Sequence, residues 1–168
     1  MTYQVYCDGS TRGNGKDNAV GAWAYVIING DSNTISAGDV QAVAGTTNQR
    51  MELNAAIEGI TKAITLLEKG DVINVYTDSA YLHNCYNQKW YKNWQKNGWK
   101  NSKKEPVANR DLWEMLIPYF EMFEVNFHKV KGHAGGRDDH EKWNEYVDEL
   151  AQNASSSLKE KLDANSGN

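Results

Sequence analysis

The stretch Val5-Tyr6-Cys7-Asp8-Gly9-Ser10 decides the fold, because a strand-forming run ends there on an aspartate followed by small residues. The pattern returns as Val75-Tyr76-Thr77-Asp78-Ser79. A single such aspartate is commonly a helix cap or a turn residue. Two neighbouring strands that end in this way would place two carboxylates at one sheet edge, where like charges repel unless a cation lies between them. We therefore predict a divalent-metal site at this edge.

Composition indicates one globular domain of ordinary size. The chain has 168 residues, of which 40% are hydrophobic and 11% aromatic, and this excludes predominant disorder. No apolar run reaches the length of a membrane span, and the N-terminus lacks the layout of a signal peptide. Cys7 and Cys85 are too few for a disulfide framework. We expect a cytoplasmic protein with reduced thiols and no membrane partner, and a monomer by default.

Charge is distributed unevenly along the chain. The net charge is −4, yet residues 1–104 hold 11 basic and 9 acidic residues, whereas residues 105–168 hold 7 and 13. Residues 90–104 carry five lysines and no acid, interleaved with Trp90, Trp94 and Trp99. Aromatic faces stack on bases or sugars while ammonium groups meet phosphates, so this segment predicts nucleic-acid contact. The alternative is a tryptophan core beneath solvated lysines, and we expect a mixture with Trp94 partly structural.

Hydrophobic periodicity predicts an α/β fold with a five-stranded mixed sheet and helices on both faces. Short turns favour an antiparallel arrangement of the first three strands, and a helical crossover makes the fourth strand parallel to the first. The predicted strands are 3–8, 20–28, 34–43, 72–77 and 124–129, and the predicted helices are 47–67, 79–87, 88–95, 109–123 and a last helix after residue 139. Serines at 155–157 predict fraying, so we divide the chain into a domain at 1–154 and a C-terminal helix extension with a frayed tail at 155–168.

Four acids border the predicted buried surfaces. Asp8 and Asp78 end strands that we predict to be neighbours, and Glu52 lies at the edge of the apolar stripe of its helix. Asp148 holds the corresponding position on the last helix, although spacing alone separates it only weakly from Glu145. With Mg²⁺ or Mn²⁺ such a set becomes a hard-oxygen site that binds phosphate oxygens. A pair of metal ions then clamps both the attacking and the leaving oxygen of an in-line phosphoryl displacement.

Six motifs carry a resemblance to the type 1 ribonuclease H family, which extends from Tyr3 to about Ala154. Each motif alone is weak, but six in the order of the family are strong. They are Cys7–Ser10, Thr47–Leu53, Thr77–Ser79, Gly98–Lys100, Lys131–Gly135 and Asn144–Ala151. The resemblance implies the ribonuclease H-like fold and an endonuclease that hydrolyses the RNA strand of RNA–DNA hybrids, leaving 5′-phosphate and 3′-hydroxyl ends. It also implies two Mg²⁺ ions, for which Mn²⁺ can substitute, held by Asp8, Glu52, Asp78 and Asp148.

The resemblance assigns a further catalytic role to His133, which lies in a glycine-flanked loop. In the family this histidine assists proton transfer or product release. Without that resemblance, a solvent-exposed loop histidine is an equally good interpretation. The stretch between His133 and Asn144 is longer than in many members of the family, which leaves the reach of the loop open.

Substrate recognition is implied for three groups of residues. Distinguishing RNA from DNA requires contacts to the 2′-hydroxyl, and the matching residues are Asn14, Asn48 and Gln49. Thr47 and Asn109 match a pocket that grips a DNA phosphate, and Trp90, Trp94 and Trp99 match a basic protrusion over the DNA strand. Many members add an arginine two residues before the pocket threonine. Gly45 stands there in this chain, so we expect a weaker grip.

Two other function classes stay open at this point. The chain could be a binding module that holds hybrids without cutting, although four converging carboxylates would serve no purpose in a binder of polyanions. It could also be a nuclease or integrase of the same fold that acts on DNA, which the candidate RNA-reading amides disfavour.

Overall fold

A computed structural model describes residues 1–130 and 138–166 as a five-stranded mixed sheet with helices on both faces. The strands are β1 (Thr2–Arg12), β2 (Val20–Asn29), β3 (Ile35–Ala44), β4 (Val72–Thr77) and β5 (Val125–Lys129). The helices are α1 (Asn48–Ile64), α2 (Ala80–Asn87), α3 (Trp90–Asn97), α4 (Arg110–Met122) and α5 (Asp139–Ser166). The strand order in the sheet is β3-β2-β1-β4-β5. The predicted fold class is therefore confirmed.

Strand β1 lies at the centre of the sheet, antiparallel to β2 and parallel to β4. Tyr6 pairs with Tyr76, so the two copies of the opening pattern run side by side as predicted. The prediction that β1 ends at Asp8 is wrong, since β2 supplies pairing partners as far as Arg12. The pairing with β4 nevertheless stops at Tyr6. Asp8 therefore lies within β1 but beyond its last partner in β4, where the sheet edge opens.

Alternation along β1 divides the core into two layers. Val5 and Cys7 belong to the large cluster beneath α1 and α4, whereas Tyr6 packs with Val147 of α5 on the opposite face. Successive side chains of a strand point to opposite faces. Asp8 therefore faces the same side as Tyr6, towards α5.

Helix α5 is a single helix of 28 residues, with no interruption at the serines where the sequence predicts fraying. Ser155 is fully buried. Its hydroxyl donates to the Gln152 carbonyl at 3.0 Å and lies 3.3 Å from the Ser10 hydroxyl of β1. These contacts satisfy the serine inside the packed layer, which explains why the helix passes through this segment. The division of the chain at residue 154 stays a prediction.

The remaining helices follow the predicted pattern with local differences. Thr47 caps α1 by accepting a hydrogen bond from the Arg50 backbone at 3.3 Å. Helix α4 passes through Pro118 without a break. Asn109 occupies the N-cap position of α4 in a left-handed conformation and makes no side-chain capping bond, so its amide is available for other contacts. Within the described ranges, no helix is long and apolar enough to cross a membrane.

Candidate active site

Three carboxylates meet where the sheet edge opens. Asp8 comes from β1, Glu52 from near the N-terminus of α1, and Asp78 from the residue directly after β4. One carboxylate oxygen from each residue lies within 4.8 Å of the other two. Asp8 is 2% exposed and Glu52 5% exposed, whereas Asp78 is half-buried. The structure therefore brings together three of the four acids that the sequence nominates.

The fourth acid, Asp148, approaches this cluster from α5. Its carboxyl group contributes to the raised pKa values of both Asp8 and Glu52. Asp148 also accepts a hydrogen bond at Oδ2 from Gln152 Nε2 at 2.9 Å. Asp148 lies outside the compact group of three, and the preference for Asp148 over Glu145 stays a prediction.

The electrostatics of the cluster favour an added cation. Burial, followed by repulsion from Glu52, raises the pKa of Asp8 far above its ordinary range. Burial and the charge of Asp78 likewise raise the pKa of Glu52. The Gly9 backbone donates to Asp8 Oδ1 at 2.9 Å and to Glu52 Oε1 at 3.2 Å. Asp8 Oδ2 and Glu52 Oε2 are buried and receive no hydrogen bond from residues 1–130 and 138–166. Buried carboxylate oxygens that lack donors fit a hard divalent ion such as Mg²⁺.

These pKa shifts predict how the stability of the metal-free protein depends on pH. The folded state holds protons on Asp8 and Glu52 more tightly than the unfolded state does. In the unfolded state the ordinary pKa values apply, which are 3.8 for Asp8 and 4.5 for Glu52. The free energy of unfolding in EDTA should therefore fall as pH rises above about 4. Asparagine is neutral without taking up a proton on folding, so at about pH 8 we expect Asp8→Asn to be more stable than wild type by about 1 kcal/mol or more.

Urea unfolding in EDTA at about pH 5 and about pH 8 measures this effect. Histidines titrate in the same interval, but they are common to wild type and Asp8→Asn and cancel in the difference between the two proteins. A stability difference that stays the same at both pH values would contradict the assignment of these raised pKa values.

A cavity of about 530 Å³ adjoins the carboxylates. The residues that line it are Asn48, Gln49, Glu52, Asp78, Ser79, Ala80 and Tyr81. The Asn48 backbone donates to Asn14 Oδ1 at 3.1 Å, which ties the loop after β1 to the N-terminus of α1. The three candidate RNA-reading residues therefore lie along one side of the site.

Asn109 is the centre of a polar network beside this cavity. Its Nδ2 lies 3.3 Å from Gln49 Oε1 and 3.4 Å from the Tyr81 hydroxyl. The Tyr81 hydroxyl also accepts a hydrogen bond from Trp113 Nε1 at 2.8 Å. This network joins the first turns of α1, α2 and α4, so it fixes the distance between the candidate RNA-reading amide of Gln49 and the candidate phosphate pocket.

Arg50 has a defined place in the same region. Its guanidinium forms two hydrogen bonds with Asp111, at 3.0 and 2.8 Å, and a longer one of 3.4 Å with Asn109 Oδ1. Arg50 therefore holds α1 against α4. It does not replace the arginine that many members of the resembling family carry at the position of Gly45. Gly45 has a φ of +68°, and no atom lies within 4 Å of the position that its Cβ would take. The space around the Cβ position of residue 45 is thus open.

The tryptophans of the basic segment divide between surface and core, as expected. Trp90 is 37% exposed, Trp94 is half-buried and Trp99 is 9% exposed. The Trp94 and Trp99 rings lie 5.9 Å apart, and the Arg110 guanidinium lies 5.1 Å from the Trp99 ring. The five lysines of residues 90–104 are all exposed. Trp90 and these lysines therefore form the face open to a polyanion, and Trp99 supports it from below.

His133 lies outside the residues that the structure describes, so its predicted role stays a prediction.

The sequence-based prediction did not identify two residues at the site. Gln152 lies four residues after Asp148, a spacing that brings side chains together on a helix, and this signal could have identified it. Tyr81 carries no comparable signal, because its partners come from separate elements of the chain.

Comparisons with known proteins agree with this geometry. The family model described as RNase H matches residues 1–156. The ribonuclease H of Syntrophomonas wolfei is 49% identical over 154 residues, covering 92% of this chain and 96% of that protein. The solved structure of LC9-RNase H1, a type 1 RNase H with the type 2 active-site motif, is 27% identical with a TM-score of 0.74, covering 93% of this chain and 72% of that one. LC11-RNase H1, solved with an RNA/DNA hybrid, is 18% identical with a TM-score of 0.66, covering 93% of this chain and 98% of that one. This similarity concerns the fold alone.

Proposed function

Because the chain belongs to the ribonuclease H family, we propose that Asp8, Glu52, Asp78 and Asp148 are the residues with which it hydrolyses the RNA strand of RNA–DNA hybrids. The observation that carries this assignment is the compact group of Asp8, Glu52 and Asp78, with buried oxygens that lack donors among the described residues. Such a group would lower the affinity of a protein that only binds a polyanion, since like charges repel.

The proposed cofactor is a pair of Mg²⁺ ions held by these four carboxylates, with Mn²⁺ able to substitute. Such ions supply the activation of water and the stabilisation of the leaving 3′-oxygen, which gives 5′-phosphate and 3′-hydroxyl ends. The protein contributes the fixed positions of the ligands. Gly9 holds one oxygen each of Asp8 and Glu52 through its backbone N–H, which leaves the other oxygens for the metal.

The proposed substrate is an RNA–DNA hybrid that lies across the cavity beside the carboxylates. Asn14, Asn48 and Gln49 read the RNA strand in this proposal, which is supported by the position of Asn48 and Gln49 at the cavity and by the hydrogen bond between Asn14 and the Asn48 backbone. Amides both donate and accept, which suits contacts to the 2′-hydroxyl. Thr47 and Asn109 grip a DNA phosphate, and Trp90 with the exposed lysines meets the DNA strand further along.

We also propose that the protein works as a monomer in the cytoplasm and that His133 assists proton transfer or product release. Cys7 and Cys85 are both buried and free, in keeping with a reducing compartment.

Cleavage of an end-labelled RNA–DNA hybrid tests the proposed function. With Mg²⁺ we expect internal cuts in the RNA strand only, and EDTA should abolish them because metal removal leaves the carboxylates without their cation. Single-stranded RNA, duplex RNA and duplex DNA serve as controls and should stay intact. Cleavage that persists in EDTA would contradict the metal assignment.

The same assay separates the two rival classes. A binding module would shift the hybrid in a gel without cutting it in any metal. A DNA nuclease or integrase of the same fold would cut the duplex DNA control. Either outcome would overturn the assignment of Asn14, Asn48 and Gln49 as RNA-reading residues of a hydrolase.

A further inference from the structure

The carboxylate of Asp148 has a dedicated hydrogen-bond donor. Gln152 lies one helical turn further along α5, and its Nε2 donates to Asp148 Oδ2 at 2.9 Å in a partly buried setting. A carboxylate offers only acceptors, so the amide of Gln152 must present its nitrogen to Asp148. The bond therefore fixes both the orientation of the amide and one oxygen of the acid.

The turn of α5 that carries Gln152 is itself anchored to β1. Ser155 is fully buried, and its hydroxyl donates to the Gln152 carbonyl at 3.0 Å. The Ser10 hydroxyl lies 3.3 Å from the Ser155 hydroxyl. Ser10 is two residues from Asp8, so a continuous set of polar contacts leads from the strand that holds Asp8 to the helix that holds Asp148.

Asp148 needs such support more than Asp8 and Glu52 do. Asp8 and Glu52 share the Gly9 backbone as a fixed donor, and both are almost fully buried. Asp148 is half-buried on a helix surface and lies outside the compact group of Asp8, Glu52 and Asp78. Repulsion between like charges favours rotamers that turn Asp148 away from the cluster. A donor on α5 opposes that rotation.

We propose that Gln152 is a positioning residue that holds Asp148 towards the carboxylate cluster, with one oxygen occupied by the Gln152 amide and the other left for a divalent cation. The proposal rests on the proposed function, in which Asp148 is a metal ligand. Hydrogen-bond partners of metal ligands commonly affect metal affinity by 10- to 100-fold. The position of Gln152 at the rim of the site favours the lower end of that range.

Gln152→Met tests the proposal, because methionine keeps the length and helix propensity of glutamine but cannot donate. We expect the Mg²⁺ concentration for half-maximal hybrid cleavage to rise by about tenfold, with kcat at saturating Mg²⁺ little changed. The increase in Tm that Mg²⁺ produces in the absence of substrate should shrink in parallel. In EDTA the Tm should change by about 2 °C or less, since a single pair at this spacing adds little stability.

Two further variants make the result decisive. Asn153→Met removes an exposed amide from the neighbouring position of the same helix and should leave both Mg²⁺ measurements at wild-type values. Asp148→Asn should weaken the Mg²⁺ response more strongly than Gln152→Met does. If Asp148→Asn weakens the response and Gln152→Met does not, the positioning role is wrong and the proposed function stands. If neither variant alters the response, the assignment of Asp148 as a metal ligand fails, and the inference fails with it.

Discussion

Asp78→Asn is expected to lower the rate of hybrid cleavage by about 10³-fold or more. A metal ion contributes several kcal/mol of charge stabilisation to the transition state, and each 1.4 kcal/mol corresponds to about tenfold in rate. Asparagine keeps the size of the side chain but loses its charge. One oxygen of Asp78 lies within 4.8 Å of carboxylate oxygens of both Asp8 and Glu52, so the variant removes a ligand from the centre of the cluster.

Single-turnover cleavage of a labelled hybrid at saturating Mg²⁺ measures this loss. Far-UV circular dichroism and Tm in EDTA should stay close to wild type, since Asp78 is half-buried and follows β4 rather than pairing within it. Asp39→Asn is the matched control, because Asp39 is an exposed acid on β3 and should leave cleavage unchanged. Near-normal turnover of Asp78→Asn with Mg²⁺ would show that the cluster is not the metal site.

Gly9→Ala is expected to damage both stability and activity. A Cβ at residue 9 would lie 2.6 Å from the Glu52 backbone nitrogen and 2.7 Å from the Met51 carbonyl carbon. Backbone atoms cannot rotate out of the way as a flexible side chain can, so α1 must move away from β1. Overpacking of this kind costs about 1–3 kcal/mol, and misplacement of a catalytic group by about 1 Å can cost about 10²-fold in rate.

Thermal unfolding in EDTA and steady-state cleavage together check the Gly9→Ala prediction. A loss of about 1–3 kcal/mol corresponds to a decrease in Tm of roughly 2–10 °C for a domain of this size. Gly38→Ala is the control, because Gly38 lies on the edge strand β3 and its Cβ would approach backbone no closer than 3.2 Å, at the Tyr25 carbonyl oxygen of β2. That variant should cleave hybrids at the wild-type rate. A Gly9→Ala protein with wild-type Tm and turnover would refute the close packing of α1 on β1 at the site.

The parts of the site that sequence could predict depend on local patterns. Asp8 and Asp78 follow similar apolar runs, and a helical crossover between them implies parallel neighbours, so their meeting followed from the order of elements. Glu52 followed from helical phase, whereas helical phase separated Asp148 only weakly from Glu145 and the family resemblance decided between them. The extent of β1 could not be predicted in this way, because its continuation to Arg12 depends on β2 as a pairing partner. Glycine at residue 9 also resembles the start of a loop when taken alone.

Other features depend on contacts between distant elements and left no local signal. Arg50 pairs with Asp111 across 61 positions of the chain, and Asn109 contacts Tyr81 across 28. The alternation of tryptophan and lysine in residues 90–104 likewise did not reveal that Trp99 is buried. Its burial depends on the Trp94 and Arg110 side chains that cover its ring.

The parallel pairing of β1 with β4 has a consequence for the lifetime of the folded molecule. It joins Val5 to Val75, a contact between distant parts of the chain, and such contacts form late and slowly during folding. Asp8 and Asp78 come together only after this pairing is complete, so the unfolded chain offers a divalent ion no comparable site. A ligand that binds only the native state adds stability by mass action, and interactions absent from the folding transition state act mainly on the unfolding rate. Mg²⁺ bound at the proposed site should therefore protect the protein chiefly by slowing its unfolding, so that the metal would also hold the central strands together.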